Sequence, residues 1–258
     1  MLTAIRASDN SLVRAAHQTK AHGPFLCPDC RAEVSLNRGT ITVPHFSHRG
    51  VRGCRNAAGE TSAHRKSKLA IYEALLAHPE VSGVELERPF GTVRADVFTL
   101  IRGLPVAIEV QISTLSPEAI AYRTAEYARK GIYVLWLLQW TGALEAYRYS
   151  PRRFERWLHA AYFGRVYYWE SGLTVIPYQF RDKHTHVPRQ VWKDSRGRTH
   201  RAGGYDHTSK RFKIAVRGRT LDIVRDFVGV DRAPWRSKTI AVPEAKVYLD
   251  TKRGFDQG

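Results

Sequence analysis

The segment "IYVLWLLQW", at residues 132–140, constrains the fold of this chain more than any other feature. It is apolar at almost every position and lacks the alternation of apolar and polar residues that marks a strand with one face in water. Such a segment is typical of a strand at the centre of a sheet, buried on both faces. The sequence therefore predicts a sheet in which residues 132–140 form a central strand.

Helices and further strands are predicted on the N-terminal side of this segment. "SPEAIAYRTAEYARKG" predicts a helix with Ser116 as N-cap, Pro117 at the first helical position and Gly131 as its stop. Upstream, "ETSAHRKSKLAIYEALLAH" predicts a helix running to Pro79, and "GVELERPF", "VRADVFTL" and "LPVAIEVQIS" predict three strands. The order over residues 60–150 is thus αβββαβ, in a mixed α+β or α/β fold.

The strand "PVAIEVQIS", at residues 105–113, carries Glu109 and Gln111 on its polar face. It is either an edge strand with this face in water, or a strand that holds both side chains in a cleft. Asp96 lies in the preceding predicted strand, where an acid is disfavoured. If the two strands pair, Asp96 and Glu109 converge with the Val110 carbonyl in a hard-oxygen site suited to Mg²⁺. Such a metal polarises a phosphate and activates a water.

The predicted helix that follows residue 59 has polar residues on the same stripe as its apolar ones. At about 100° per residue, Glu60, His64 and Lys68 fall on the face that also carries Ile71 and Leu75. A solvated face would lie opposite the apolar stripe. The beginning of this helix is therefore expected to face a polar pocket, the alternative being ordinary charge pairing between residues four apart.

Cysteine spacing points to a metal in the N-terminal part. Cys27 and Cys30 form a C-x2-C knuckle, which suits tetrahedral zinc, and "HFSH" with Cys54 supplies further ligands. The set Cys27, Cys30, His48 and Cys54 is preferred because it leaves no stranded thiol. His45 in place of one of the later ligands is an alternative, and so are three reduced core cysteines. A closed site of this kind is structural.

Charge divides the chain into three parts, which we take as an N-terminal unit (residues 1–59), a core (60–150) and a C-terminal region (151–258). Lys and Arg number 8, 10 and 23 in these parts, against 3, 10 and 11 Asp and Glu. The net charge of +17 therefore resides in the flanks, and it indicates nucleic acid as partner, the alternatives being an acidic protein or a solvated surface. No apolar run approaches the about 20 residues of a membrane span, and no N-terminal signal core is evident, so a cytoplasmic protein is expected.

The C-terminal region is predicted to be basic and rich in β-strands. "PRRFERWLHAAYFG" predicts a short helix, "RVYYW", "LTVIPYQF", "RFKIAV" and "IAVPEAKVYL" predict strands, and "KDSRGRTHRAGGYDHTSK" predicts a loop. Its basic residues are interleaved with aromatic ones, as suits single-stranded nucleic acid. A β-domain with an ordinary aromatic core explains the pattern equally well. Four histidines are interpreted as surface residues rather than ligands: His184, His186, His200 and His207.

Taken together, these pieces resemble a known family. "CPDC", "HFSH" with Cys54, "ETSAHRKSK", "RADV", "AIEVQIS" and "YRTAEYARKGIYVLWLL" occur, in this order, as in the CoiA-like competence proteins of the PD-(D/E)XK nuclease superfamily. The resemblance covers roughly residues 24–140, with Thr61 where the family usually has Ser. It implies a restriction-endonuclease-like core behind a small zinc ribbon-like unit, and a metal-dependent nuclease that uses Mg²⁺ or Mn²⁺.

The resemblance also implies roles for individual residues. Asp96 and Glu109 match the metal-binding acids, and Gln111 stands where most of the superfamily has Lys. The other matching positions lie on the two helices: Glu60, His64, Lys68, Arg123 and Tyr127. We interpret five residues as catalytic (Glu60, Lys68, Asp96, Glu109 and Gln111) and four as substrate-binding (His64, Arg94, Arg123 and Tyr127).

Three functions remain open from the sequence. The first is a Mg²⁺-dependent nuclease acting on DNA, in which Lys68 or Arg94 supplies the cation that Gln111 lacks. The second is a DNA-binding factor that keeps the nuclease fold without cleavage. The third is a scaffold that binds an acidic protein through its zinc unit and basic tail.

Overall fold

The computed structural model describes residues 1–50, 54, 60–112, 115–251 and 255. Residue 113, the last of the predicted strand 105–113, lies outside them. The N-terminal unit is an antiparallel sheet with the strand order β2-β1-β3-β4-β5. Its strands are β1 (Thr3–Arg6), β2 (Leu12–Arg14), β3 (Phe25–Leu26), β4 (Glu33–Asn37) and β5 (His45–His48). The rings of Phe25 and Phe46, 5.0 Å apart, lie in its small core.

The core has the predicted αβββαβ order. Its elements are α1 (Ser62–Leu76), β6 (Val81–Leu86), β7 (Val97–Ile101), β8 (Leu104–Gln111), α2 (Pro117–Arg129) and β9 (Tyr133–Gln139). Ser116 caps α2 and Pro117 begins it, as predicted. Thr61 caps α1 by accepting the His64 N–H, so the hydroxyl at this position serves the same purpose as the usual Ser.

Two boundaries differ from the sequence prediction. α1 begins after its cap at Thr61 and ends at Leu76, so Glu60 precedes the helix and the helix stops short of Pro79. β7 begins at Val97, so Asp96 lies immediately before a strand and not within it. This position relieves the conflict with strand propensity, because the acid stands where the regular ladder has not yet begun.

β9 is the central strand that its sequence predicted. It pairs in parallel with β8 on one side, and β6, β7 and β8 continue the sheet in antiparallel fashion. Residues Val134 to Leu138 are all buried, because other strands lie on both sides of β9 and side chains cover both of its faces.

The C-terminal region continues the same sheet. It contains α3 (Arg153–Ala161), β10 (Val166–Ser171), β11 (Thr174–Val187), β12 (Gln190–Lys193), β13 (Thr199–Ala202), β14 (Tyr205–Arg217), β15 (Leu221–Asp222), β16 (Phe227–Arg232), β17 (Trp235–Arg236), β18 (Ala241–Val242) and β19 (Ala245–Asp250). β10 and β19 both pair in parallel with β9, and β11 and β14 extend the sheet beyond β10. One sheet therefore contains strands from both sides of residue 151, the position at which we divided the chain by its charge.

The predicted loop "KDSRGRTHRAGGYDHTSK" is largely β-structure, so that prediction is wrong. β11 and β14 form a long antiparallel ribbon, and β12 pairs with β13 beyond it. Gly203 and Gly204, both with positive φ, join β13 to β14, which explains why the segment resembles a loop in sequence. His184, His186 and His207 are exposed as expected, and His200 is half-buried against the Trp192 ring. Within the described ranges, no helix combines the length and apolarity that crossing a membrane would require.

Candidate functional site

The first turns of α1 and the approach to β7 bring four predicted residues into one cluster. The Lys68 Nζ lies 2.5 Å from Glu60 Oε1 and 3.6 Å from Asp96 Oδ1. His64 bridges the same two acids, with Nδ1 2.8 Å from Glu60 Oε1 and Nε2 3.1 Å from Asp96 Oδ2. The helical stripe read from the sequence therefore faces a polar pocket, and Ile71 continues it into the core.

The charges of this cluster stabilise one another. Burial opposes protonation of His64, but the neighbouring Asp96 and Glu60 carboxylates outweigh it and raise the pKa of His64 to about 9. Burial likewise opposes ionisation of Asp96, yet the Lys68 and His64 cations hold the pKa of this carboxyl well below its usual range. At neutral pH the cluster therefore holds two cations and two carboxylates that are all ionised.

Glu87 is a fifth member of the cluster that the sequence did not reveal. It is 1% exposed, and its Oε1 lies 2.6 Å from the Lys68 Nζ. The same carboxylate accepts hydrogen bonds from the Leu2 and Thr3 backbone N–H groups and from the Thr3 hydroxyl. Glu87 has a positive φ of 53° directly after β6, a turn that the stretch "VELERPF" does not signal. It ties the N-terminal sheet to the core through a buried charge.

Glu109 lies in a second, adjacent cluster formed with α2. Its Oε1 is 2.5 Å from Arg123 Nη2 and accepts a short hydrogen bond from the Tyr127 hydroxyl. Burial raises the pKa of Glu109 to about 7, against the opposing effect of the Arg123 cation. Arg123 and Tyr127, four residues apart on α2, thus reach the same carboxylate, as their shared helix face predicted.

Backbone contacts join the two clusters. Asp96 Oδ2 accepts the Val110 N–H at 2.9 Å, which fixes this carboxylate beside the strand position next to Glu109. The β7–β8 register, with Val97 opposite Ile108, also places Asp96 near the strand position of Glu109. Arg123 also donates to the Arg94 carbonyl at 3.0 Å. Gln111, at the end of β8, is largely buried.

The acidic side of the site offers two carboxylates, Glu60 and Asp96, as metal ligands, and His64 would join them only after losing a proton. Ligand atoms of Glu60, His64 and Asp96 all lie within 4.8 Å of one another, a group of which Glu109 is not part. Glu60 Oε2 is buried without a hydrogen-bond partner in the described chain, and it lies 3.5 Å from the Met1 amino group. Hard carboxylate oxygens fit Mg²⁺ or Mn²⁺.

The N-terminal sheet gathers the predicted sulfur and nitrogen ligands. Atoms of Cys27, Cys30, His48 and Cys54 lie within 4.8 Å of one another. The Cys27 and Cys54 sulfurs are 3.8 Å apart, and tetrahedral zinc with about 2.3 Å bonds requires a separation of about 3.8 Å. Cys30 Sγ and His48 Nε2 are 3.9 Å apart. His45 instead contacts the Val43 carbonyl. The cluster fits a tetrahedral metal, with His48 and not His45 in the group.

One ion pair connects this cluster with the acidic site. Asp29 lies between the two cysteines of the knuckle, and its Oδ1 is 3.6 Å from Arg94 Nη1. Arg94 stands two residues before Asp96 and is largely buried, so its guanidinium lies between the two sites. The predicted substrate-binding Arg94 therefore contacts the N-terminal unit.

Comparison with known proteins matches the N-terminal unit and the core of the chain. The family model described as "Competence protein CoiA, nuclease-like domain" matches residues 60–162, and "Competence protein CoiA, N-terminal domain" matches residues 9–57. Competence protein CoiA of Bacillus subtilis (strain 168) is 28% identical over 117 residues, which are 44% of this chain and 31% of that protein. The matched region thus spans about a third of the relative's length. No solved structure matches the chain. The chain belongs to the CoiA-like competence protein family.

Proposed function

We propose that this protein is a Mg²⁺-dependent nuclease that hydrolyses phosphodiester bonds of DNA, in a restriction-endonuclease-like core. The observation that carries the proposal is the contact of Asp96 with the backbone of Val110, which holds one acid beside the strand position of the other, Glu109. The N–H and C=O groups of one strand residue point to the same side, so this contact also supports the Val110 carbonyl as a ligand. Asp96, Glu109 and Val110 would hold the metal.

When bound, the metal ion supplies Lewis-acid activation of the scissile phosphate and of a water molecule. Hydrolysis adds the water oxygen to phosphorus, breaks one P–O bond and delivers a proton to the leaving oxygen. Gln111, at the end of the strand that carries Glu109, would orient the water or a phosphate oxygen by hydrogen bonds. Glu60, whose Oε2 is buried without a hydrogen-bond partner in the described chain, would bind a second metal ion or a water.

Cations of the chain itself would replace the lysine that the superfamily usually carries at position 111. The Lys68 ammonium lies 3.6 Å from Asp96 and is charged, because three surrounding carboxylates outweigh its burial. His64 is protonated at neutral pH and side-chain exposed to 22%. Both groups can neutralise charge that develops on a phosphate. Arg94, Arg123 and Tyr127 would position the substrate around them.

Cleavage of labelled single- and double-stranded DNA, with and without Mg²⁺ or Mn²⁺, tests the proposal. Asp96→Asn and Glu109→Gln should each lower the cleavage rate at least about a hundredfold, since each removes a charged ligand. Glu118→Gln is the matched control, because Glu118 lies on the first turn of α2 and its side chain is 72% exposed. If the wild type cuts no faster than Glu109→Gln, the protein is not a nuclease of this kind.

The second candidate is a DNA-binding factor that keeps the nuclease fold but does not cleave. It is favoured by Gln111 and by the saturation of Glu60, Glu87 and Asp96 with cations of the chain itself. Salt-dependent DNA binding without metal-dependent cleavage would support this candidate. Activity gained or altered in Gln111→Lys would instead show that the pocket supports catalysis. In either case we propose a cytoplasmic location.

We also propose that the N-terminal cluster holds a structural zinc ion. The N-terminal sheet has a small core of its own, so a metal that cross-links its loops contributes to its folding. One equivalent of zinc per chain is expected by elemental analysis, and Cys30→Ser should lose most of it. His45→Gln is the matched control and should retain zinc. Equal zinc content in the wild type and in Cys30→Ser would refute the site.

A further inference from the structure

A cleft of about 730 Å³ lies beside α3, apart from both sites described above. Four cations line it: Arg156 from α3, Lys210 and Lys213 from β14, and Arg232 from the end of β16. Among the residues that the structure describes, no Asp or Glu lines the cleft. The cleft is thus a concentration of positive charge on the C-terminal part of the sheet, whereas the acidic site lies at β7 and β8.

Arg156 and Arg232 donate hydrogen bonds to backbone carbonyls, but the cations of the cleft have few carboxylate partners. Lys213 contacts Asp182, whereas Arg156, Lys210 and Arg232 form no ion pair within the part of the chain that the structure describes. Arg232 is 9% exposed; its Nη2 donates to the Ala160 carbonyl and its Nε is buried without a hydrogen-bond partner. A buried guanidinium without a counter-ion is costly. An anion bound in the cleft would supply the missing partner.

Aromatic rings flank these cations. Trp235, on β17, is 43% exposed, and Phe163, two residues after the end of α3, is 49% exposed. Phe163 has a φ of 51°, a conformation that is a genuine outlier for a bulky residue. In this conformation its ring lies 4.2 Å from the Arg232 guanidinium carbon. The cleft therefore combines a surface for stacking with groups that bind phosphate.

We propose that this cleft binds a nucleotide unit of single-stranded DNA, with the base against Trp235 and the flanking phosphates on Lys210, Arg156 and Arg232. The inference rests on the proposed function only in taking DNA as the partner, and not on cleavage. Single strands are favoured over duplexes because their bases are free to stack on exposed rings. The cleft would then hold a strand while another part of it reaches the acidic site.

Fluorescence anisotropy of a labelled dT20 oligonucleotide with the whole chain, in buffer without Mg²⁺ or Mn²⁺, tests the proposal. Trp235→Ala and Lys210→Ala should each weaken binding about fivefold or more, as expected for loss of one stacked base or one phosphate contact. Trp192→Ala is the matched control, since Trp192 is equally exposed but lies on β12. It should change binding less than twofold.

Three other outcomes of these binding measurements would contradict the proposal. Wild-type affinity in both Trp235→Ala and Lys210→Ala would show that the cleft does not bind DNA. An equal loss in duplex binding for Trp235→Ala would exclude a site for unpaired bases. Competition by free dTMP as strong as by the oligonucleotide would assign the cleft to a free nucleotide. Because no Mg²⁺ or Mn²⁺ is present in the binding assay, these results are independent of whether Asp96→Asn abolishes cleavage.

Discussion

The acidic site and the C-terminal cleft both contain several cations, but they differ in how many carboxylates lie beside those cations. In the acidic site Lys68 is surrounded by Glu60, Glu87 and Asp96. In the cleft Arg156 and Lys210 have no carboxylate partner in the described chain. In the first arrangement the cation is balanced by carboxylates of the chain itself, whereas the second leaves positive charge unbalanced by the described chain.

The difference follows from the cost of burying charge. A fully buried ammonium is tolerated only with partners, which is why Lys68, at 1% exposure, has three carboxylates around it. Exposed cations are solvated and need none. Arg232 is an exception to this division into buried, paired cations and exposed, unpaired ones. It is buried, and it has no carboxylate partner within the described residues.

The largest expected effect is on stability, and it is measured by making the same Lys→Met substitution in the acidic site and in the cleft. Lys68→Met leaves Glu87 buried without its counter-ion and should lower the free energy of unfolding by about 3–5 kcal/mol. Lys210→Met removes an exposed cation and should change it by less than about 0.5 kcal/mol. Urea denaturation of both variants measures the difference. Similar unfolding midpoints for the two would break the contrast drawn between buried and solvated cations.

A pH effect of intermediate size is expected at the wall of the cleft. Burial, with the nearby Lys213 cation, lowers the pKa of His159 to about 4, so its ring is neutral at pH 7 and accepts the Phe180 N–H. Between pH 6.5 and 4 the unfolded chain therefore binds a proton that the folded chain does not. Lowering the pH through this window should cost on the order of 2–3 kcal/mol of stability.

His159→Gln isolates this contribution, since the amide oxygen can still accept the Phe180 N–H but does not titrate. The stability difference between wild type and His159→Gln, followed from pH 7 to pH 4 by denaturation, should shift in favour of the variant. A difference that stays constant with pH would mean that His159 is protonated equally in the folded and unfolded chain.

The smallest effect concerns salt. The logarithm of the binding constant for single-stranded DNA should fall linearly with the logarithm of the salt concentration. Lys210→Met should make this slope less steep by roughly 0.7, which corresponds to the loss of one phosphate contact. Lys246→Met is the matched control, because Lys246 is paired with Asp231 at 2.8 Å. It should leave the slope unchanged. An equal reduction in both variants would show that paired and unpaired cations contribute alike to binding.

Much of the core could be predicted because its signals are local. The cap at Ser116, the apolar run of β9 and the stripe shared by His64 and Lys68 all follow from residues close together in the chain. The αβββαβ order was therefore correct. The strands "LTVIPYQF" and "RFKIAV" at the base of the β11–β14 ribbon were predicted, but its outer part was missed because that polar, Gly-containing sequence lacks the apolar alternation that marks a half-buried strand.

The sequence by itself determined the family, the order of the core elements and which cysteine and histidine residues gather in the N-terminal cluster. Only the tertiary structure decided that Glu87 meets Lys68 and that Glu109 faces Arg123 and Tyr127 rather than the Glu60–His64–Asp96 group. The physical reason is that the pKa of a carboxylate and the need of a cation for a partner depend on burial and on neighbours distant in the chain. Local patterns record neither.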